Sequence, residues 1–294
     1  MAESTLVDWV GRSCELLEPL YEVIASKVLS SGYIMADETP LRVLDRRRKG
    51  GSYNGFYWLY YSPLEKLVYF DFRPTRSRAG PNEFLKEYTG YLQTDGYSGY
   101  SDVLLRDAVE GVGCMAHARH YFVRALDSEK QRSQWLLEQV QKLYAIERQA
   151  REQGLSHEER YKLRQRESVV ILAEIHQWLH EQSKDLLPRS LFGKTVSYML
   201  SNWRRLIRYV EDGRLEIDNN LVENAVRPVA LGRKNYLFAG SKEGTKRGTI
   251  IYTLVDTAKL RGIEPFVYLR DVLSRIADHP YNKLDELLPN NWKA

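Results

Sequence analysis

The sequence predicts a mixed α/β core interrupted by an all-helical segment. Three observations carry this expectation: short β-like apolar runs between residues 32 and 115, a helix-forming stretch set among them, and a block over 128–212 whose pattern is almost wholly helical. A helix between strands implies a crossover to parallel pairing, so the expected sheet is mixed, with helices around it.

Taken in order, residues 1–30 read as a helical lead-in, with Val7, Val10, Leu17, Leu20, Ile24 and Val28 at helical spacing and Pro19 as a kink. The first part of the core spans 31–127. YIMAD from Tyr33, GFYWLYYS from Gly55 and KLVYFDF from Lys66 form a three-stranded antiparallel meander, separated by Gly-Gly and Ser-Pro turn signals. PNEFLKEY then reads as a helix, YLQTD as a fourth strand, GVGCM as a fifth, and AHARHYFVRAL as a helix. Within the helical insertion, 128–212, Ser156 and Glu159 make a capping-box signature. The insertion ends at Asp212-Gly213; in the second part of the core, 213–262, Asp218 caps a short helix carrying Leu221, Val222, Glu223 and Val226 up to Pro228. Residues 263–294 form a C-terminal helical segment.

At 294 residues and 43% hydrophobic content, the chain can bury a substantial core, as one large domain or two modest ones. No apolar run of about eighteen residues is present to span a membrane, and MAESTLVDWV lacks the basic and apolar regions of a signal peptide. Two cysteines, Cys14 and Cys114, are too few for a disulfide framework and suit a reducing compartment, so the cytoplasm is expected. The net charge of +4 says little by itself, but the cations are bunched. Arg42, Arg46, Arg47, Arg48 and Lys49 form one group; Arg73, Arg76 and Arg78 a second; Arg227, Arg233, Lys234, Lys242, Lys246 and Arg247 a third. Each borders an acidic stretch, a distribution that favours a polyanionic partner over merely solvated loops.

The acidic stretches share a form. GYIMADETP and GYLQTDGYSGY each run Gly, Tyr and an aliphatic residue into a lone carboxylate, Asp37 and Asp95. On neighbouring parallel strands about 4.8 Å apart, these carboxylates would lie side by side. Like charges that close are either protonated or built around a cation, and an all-oxygen donor set suits Mg²⁺ or Mn²⁺. The plainer reading is that each Asp ends a strand and begins a turn. Glu223 is the third acid best placed to complete such a site. Asp218 competes with it, but five helical positions rotate a side chain by about 140°, and Asp218 serves as an N-cap. Glu223 has an ordinary alternative, an ion pair with Arg227 at i+4. Glu38 is excluded if it lies on the strand beside Asp37, because successive side chains alternate faces.

Asp37 in ADETP, Asp95 in TDGYSGY and Glu223 in DNNLVENAVRP resemble the acidic triad of DDE transposases, and more narrowly the insertion-sequence-66 family. The resemblance extends through CMAHARHYF, GRKNYLFAGS, YLRDVLSRI and LDELLPNNW and so covers nearly the whole chain. It implies a ribonuclease H-like core with a helical insertion before the Glu. It also implies DNA strand cleavage and strand transfer with two Mg²⁺ or Mn²⁺ ions, Asp37 bridging both while Asp95 and Glu223 each hold one. Water attacks first, and the freed 3′-hydroxyl then attacks target DNA. Arg227, Arg233 and Lys234 are the expected phosphate contacts. Cys114 and His117 are expected to buttress the second Asp, since Cys114, His117 and His120 are one ligand short of a closed zinc site. The implied partners are transposon-end and target DNA, further copies of the chain on DNA, and accessory transposition proteins, which would make it nucleoid-associated.

Two departures from the family pattern stand out. The chain begins close to the catalytic core, without the upstream helical region and Cys-rich zinc-binding segment of full-length members, so DNA-end recognition is expected to be missing. His120 and Tyr121 stand where basic residues usually follow the Cys-x-x-His element. Two other readings share these residues: a ribonuclease H-like nuclease such as a junction resolvase, and a non-catalytic DNA-binding remnant of a transposase.

Overall fold

The computed structural model describes residues 2–187 and 190–293, and the chain divides into two compact units. The first comprises residues up to 92, 97–110 and 221 onward; the second comprises 93–96 and 111–220.

The first unit is built on a five-stranded sheet. Helix α1 (Glu3–Ser30) leads into β1 (Tyr33–Leu44), β2 (Ser52–Ser62) and β3 (Leu67–Arg73), the expected antiparallel meander. Helix α2 (Ala79–Phe84) precedes β4 (Gly90–Gln93), and a short helix α3 (Ser101–Leu104) precedes β5 (Val109–Val112). The strand order is β3-β2-β1-β4-β5 and the sheet is mixed, consistent with a ribonuclease H-like core. YIMAD and YLQTD therefore do belong to neighbouring strands. Both begin after a glycine in the left-handed region, Gly32 at φ 72° and Gly90 at φ 118°, and the Tyr91 amide donates to the Gly32 carbonyl at 2.9 Å. A Cβ on Gly90 would stand 2.4 Å from that carbonyl oxygen, so the repeated Gly-Tyr is a requirement of strand entry.

Several element boundaries move from where the sequence put them. Strand β1 does not stop at the ADETP turn but continues to Leu44, because Thr39, Leu41 and Val43 keep alternating inward with Pro40 and Arg42 outward. Strand β4 ends at Gln93, two residues before Asp95, and β5 begins two residues before GVGCM. The helix read at PNEFLKEY covers Ala79–Phe84 instead, with Pro81 in its first turn, where its missing N–H costs nothing.

Strand β3 lies at the sheet edge, and its open backbone groups are taken up by helices. Helix α11 (Lys242–Leu260) offers Thr253 and Thr257, whose hydroxyls accept from the Phe70 and Val68 amides at 3.0 and 3.3 Å. The Tyr21 hydroxyl of α1 donates to the Phe70 carbonyl at 2.7 Å. Leu17, Leu20, Ile24, Trp58, Tyr60, Leu92, Leu254 and Tyr268 lie in one continuous core. The last helix, α12 (Pro265–Arg275), and the final turn Tyr281–Leu287 close on α1, where Lys27 pairs with Asp285 at 2.8 Å.

The second unit is helical: α4 (Met115–Ala125), α5 (Lys130–Glu152), α6 (His157–Leu163), α7 (Val169–Ser183), α8 (Leu191–Ser201) and α9 (Trp203–Ile207). Both bonds of the Ser156–Glu159 capping box are formed. At its centre Glu147, almost fully buried, receives Arg164 at 2.8 Å and Arg160 at 2.7 Å, and Arg160 also reaches Glu216 at 2.7 Å. Helix α10 (Asn220–Tyr236) then returns the chain to the first unit. It is not the short helix expected: it runs straight through Pro228 to Tyr236, held by the inward face of Val222, Ala225, Val226 and Val229. Anchoring on both sides of the proline, by that face and by the Arg233 bond to the Pro40 carbonyl, outweighs the one backbone hydrogen bond a proline removes.

Candidate active site

Asp37 is the fifth residue of β1, opposite Leu59 of β2, and is half-buried. Its neighbours Ile34 and Ala36 enter the core, so the pleat turns Asp37 to the other face. Its Oδ1 accepts the Glu38 amide at 2.8 Å. Glu38 points back to the Ala36 side, where Arg76 Nε donates to it at 2.7 Å and the Tyr100 hydroxyl at 3.3 Å. Arg76 in turn lies 3.9 Å over the Tyr97 ring. Glu38 is thus committed to a structural ion pair on the face away from Asp37, as strand alternation requires.

Asp95 lies in the short turn after β4. Gln93 fixes the entry to that turn, donating to the carbonyls of Gly113 at 2.8 Å and Glu216 at 3.0 Å. The Thr94 amide donates to Val112, and the Tyr198 hydroxyl donates to the Asp95 carbonyl at 3.3 Å. Gly96, at φ 93°, turns the chain away beneath Tyr198. The Asp95 side chain is half-buried.

Glu223 lies in the first turn of α10, also half-buried. Among the expected phosphate contacts, Arg227 and Lys234 are exposed on the same helix, while Arg233 donates to the Pro40 carbonyl and so ties the end of α10 to β1. Asp218 precedes the helix by two residues. Its carboxylate accepts the Asn220 amide at 3.0 Å, the Asn220 side chain at 2.8 Å and the Tyr144 hydroxyl at 2.8 Å. Burial first, and then the Asp218 charge, hold the Tyr144 hydroxyl far above its ordinary pKa, so it remains a donor.

Cys114 and His117 meet at 3.1 Å between Sγ and Nδ1. The Cys114 sulfur also accepts the Asn219 amide at 3.3 Å, and the Met115 amide donates to Ile217. The pair therefore braces the 217–219 strip that leads into α10. Tyr144, Tyr198 and Gln93 were not singled out in the sequence; among 20 tyrosines nothing marks two as anchors.

A chain whose mixed sheet carries an acid on β1 and leads from neighbouring β4 into a second belongs, by its sequence, among the transposases. The model described as Transposase IS66 family matches residues 1–247, the model described as IS66 C-terminal element matches 253–290, and the chain belongs to the IS66 transposase family. It is similar to three proteins of Sinorhizobium fredii: Uncharacterized protein y4hP (33% identical, 100% of this chain and 56% of the relative), y4jD (31%, 99% and 59%) and y4qI (30%, 100% and 57%). The chain thus spans less than two thirds of the length of these relatives. No solved structure matches it. Among the described residues no helix is long and apolar enough to cross a membrane.

Proposed function

We propose that this chain carries the catalytic part of a DNA transposase, cleaving and joining DNA strands with Asp37, Asp95 and Glu223 as the metal-holding acids. The observation that carries the proposal is the adjacency of β1, which bears Asp37, and β4, which leads into Asp95, in a member of the IS66 transposase family. All three acids are half-buried oxygen donors, a set that fits the hard ions Mg²⁺ and Mn²⁺. When bound, such ions activate the attacking oxygen and stabilise the leaving oxygen of an in-line phosphoryl transfer.

The chain's own residues do the positioning. Backbone pairing of β1 fixes Asp37, the Gln93 and Tyr198 bonds fix the turn at Asp95, and Cys114 with His117 steadies the approach to Glu223. Arg227 and Lys234 supply charge for phosphates, and Arg233 has further donors beside the one it gives Pro40. The partners are transposon-end and target DNA, with further copies of the chain and accessory proteins assembling on them at the nucleoid.

The test is a strand-transfer assay with pre-cut, end-labelled transposon DNA, target plasmid and Mg²⁺ or Mn²⁺. Joined products are expected, with Ca²⁺ binding but not supporting joining, because its longer, more numerous bonds hold the reacting oxygens loosely. Asp37→Ala, Asp95→Ala and Glu223→Ala should each abolish cleavage and joining while leaving nonspecific DNA binding. Near-normal activity in any folded variant removes that residue from the triad, and cleavage without joining favours a nuclease.

A further inference from the structure

Leu237 and Phe238, in the loop between α10 and α11, are exposed at 65% and 43% within the stretch that carries Arg227, Arg233, Lys234, Lys242, Lys246 and Arg247. Leu237 has a φ of 60°, a left-handed conformation that a branched aliphatic residue adopts only when its surroundings hold it there. Those surroundings are visible. The Leu237 amide donates to Arg233 at 3.1 Å, ending α10. One residue beyond the pair, the Ala239 amide donates to Arg42 at 2.7 Å and its carbonyl accepts from Leu44 at 2.9 Å, a one-residue bridge onto β1. Ser241 then caps α11 through the Gly244 amide at 3.0 Å. Two large apolar side chains are therefore held outward between fixed points, where burial would have been the cheaper outcome.

Their setting selects the partner. Lys234 and Lys242 are exposed on either side, and Lys246 follows, paired at 3.6 Å with Glu243. The β1–β2 turn, which continues directly from the strand bridged by Ala239, holds Arg46, Arg47, Arg48 and Lys49 against one carboxylate, Asp45, which pairs with Arg47 and Arg48. Cations around an outward apolar pair call for a polyanion that also offers flat apolar faces, and a nucleic acid with an accessible base is such a partner. An intact duplex hides those faces, so the strand must be opened at an end or a distorted step.

We propose that Leu237 and Phe238 form a base-stacking site that receives a nucleobase from an opened DNA strand, with the flanking lysines and arginines on its phosphates. This rests on the reading of DNA as the partner but not on the carboxylate chemistry, and the test runs without divalent metal. The probes are a short linear duplex carrying 2-aminopurine near its ends and the corresponding single strand. Saturating wild-type chain should raise 2-aminopurine fluorescence at least about twofold. Phe238→Ala should abolish that rise, change duplex affinity by less than about threefold, and weaken single-strand binding within the about 5- to 150-fold span that one stacked base represents. Phe238→Trp should keep both responses. Duplex binding without a fluorescence change, or an unaltered response in Phe238→Ala, overturns the stacking site and leaves the transposase reading standing. Failure of the wild-type chain to bind either DNA sinks both. Should Phe238→Ala leave the DNA responses intact but dissociate an oligomer in light scattering, the loop is a contact between copies and the proposal is wrong.

Discussion

Asp256 on α11 is a carboxylate buried at a cost. Its Oδ2 has no hydrogen-bond partner among the described residues, and Lys259 approaches its Oδ1 only to 3.7 Å. Burial pushes its pKa up to about 6, with Lys259 opposing only in part. The folded chain therefore holds this proton more tightly than the unfolded chain. Below about pH 4 both states are protonated and nothing is lost. Between pH 4 and 6 the unfolded chain ionises first and stability declines, and above about 6 the penalty is complete, on the order of 2–3 kcal/mol. Asp256→Asn should thus raise the unfolding temperature at pH 7 and bring no gain at pH 4; an equal gain at both would show that ionisation is not the cause. At the same scale Glu38 and Asp37, adjacent in sequence, have separate fates because the pleat sends them to opposite faces.

Among the elements, the edge strand β3 depends on its helical neighbour. Thr253 and Thr257 recur one helical turn apart on α11, and their hydroxyls meet the Phe70 and Val68 amides that an edge strand leaves open. Thr253→Val keeps the shape and removes the acceptor, so the buried Phe70 amide loses its bond at a cost of about 1–3 kcal/mol. Thr249→Val, which removes a hydroxyl that donates to the Lys246 carbonyl of its own helix, should cost less. Urea unfolding compares the two; equal midpoints would mean that the helix does not close the strand edge. Helix α10 teaches the complementary lesson: a proline at 228 signals a stop locally, yet Val229 is buried beyond it, and the Arg233 bond to the Pro40 carbonyl anchors the turns up to Tyr236.

Across the whole molecule, charge is used in two opposite ways. Within the helical unit Glu147, Arg160 and Arg164 are removed from water and satisfied by one another, by Glu216 beside Arg160, and by the carbonyls of Tyr209, Asp212 and Leu215 around Arg164. Burial raises the Glu147 pKa, but the two guanidinium groups outweigh it and hold the carboxyl below its ordinary range. Glu147→Ala leaves the buried Arg164 without a carboxylate and Arg160 with Glu216 alone, and should destabilise the unit by about 3–5 kcal/mol, read as a lower urea midpoint; a loss below 1 kcal/mol would mean that water replaces the carboxylate. The outward clusters Arg46–Lys49 and Arg227–Lys246 instead remain at the surface. Duplex DNA binding should accordingly weaken steeply and linearly in log salt, with little sequence preference. Tight binding to one sequence at high salt would contradict that.

The sequence by itself determined the mixed α/β class, the antiparallel meander, the helical block with its capping box, and the transposase family. All of these rest on local periodicity or contiguous motifs, which neighbouring residues encode directly. Where strands and helices end was decided by tertiary packing: β1 outruns Asp37 because Thr39, Leu41 and Val43, on the same face as Asp37, stay buried, and α10 outruns Pro228 because Val229 is buried beyond it and Arg233 is tied to the Pro40 carbonyl. The supports around the candidate site were likewise invisible in the sequence. Gln93 with Gly113 and Glu216, Tyr198 with Asp95, and Cys114 with Asn219 join residues 20 to 123 positions apart. A hydrogen bond across such separations leaves no periodic trace in the chain, and it exists only once burial has excluded water and brought both partners to one place.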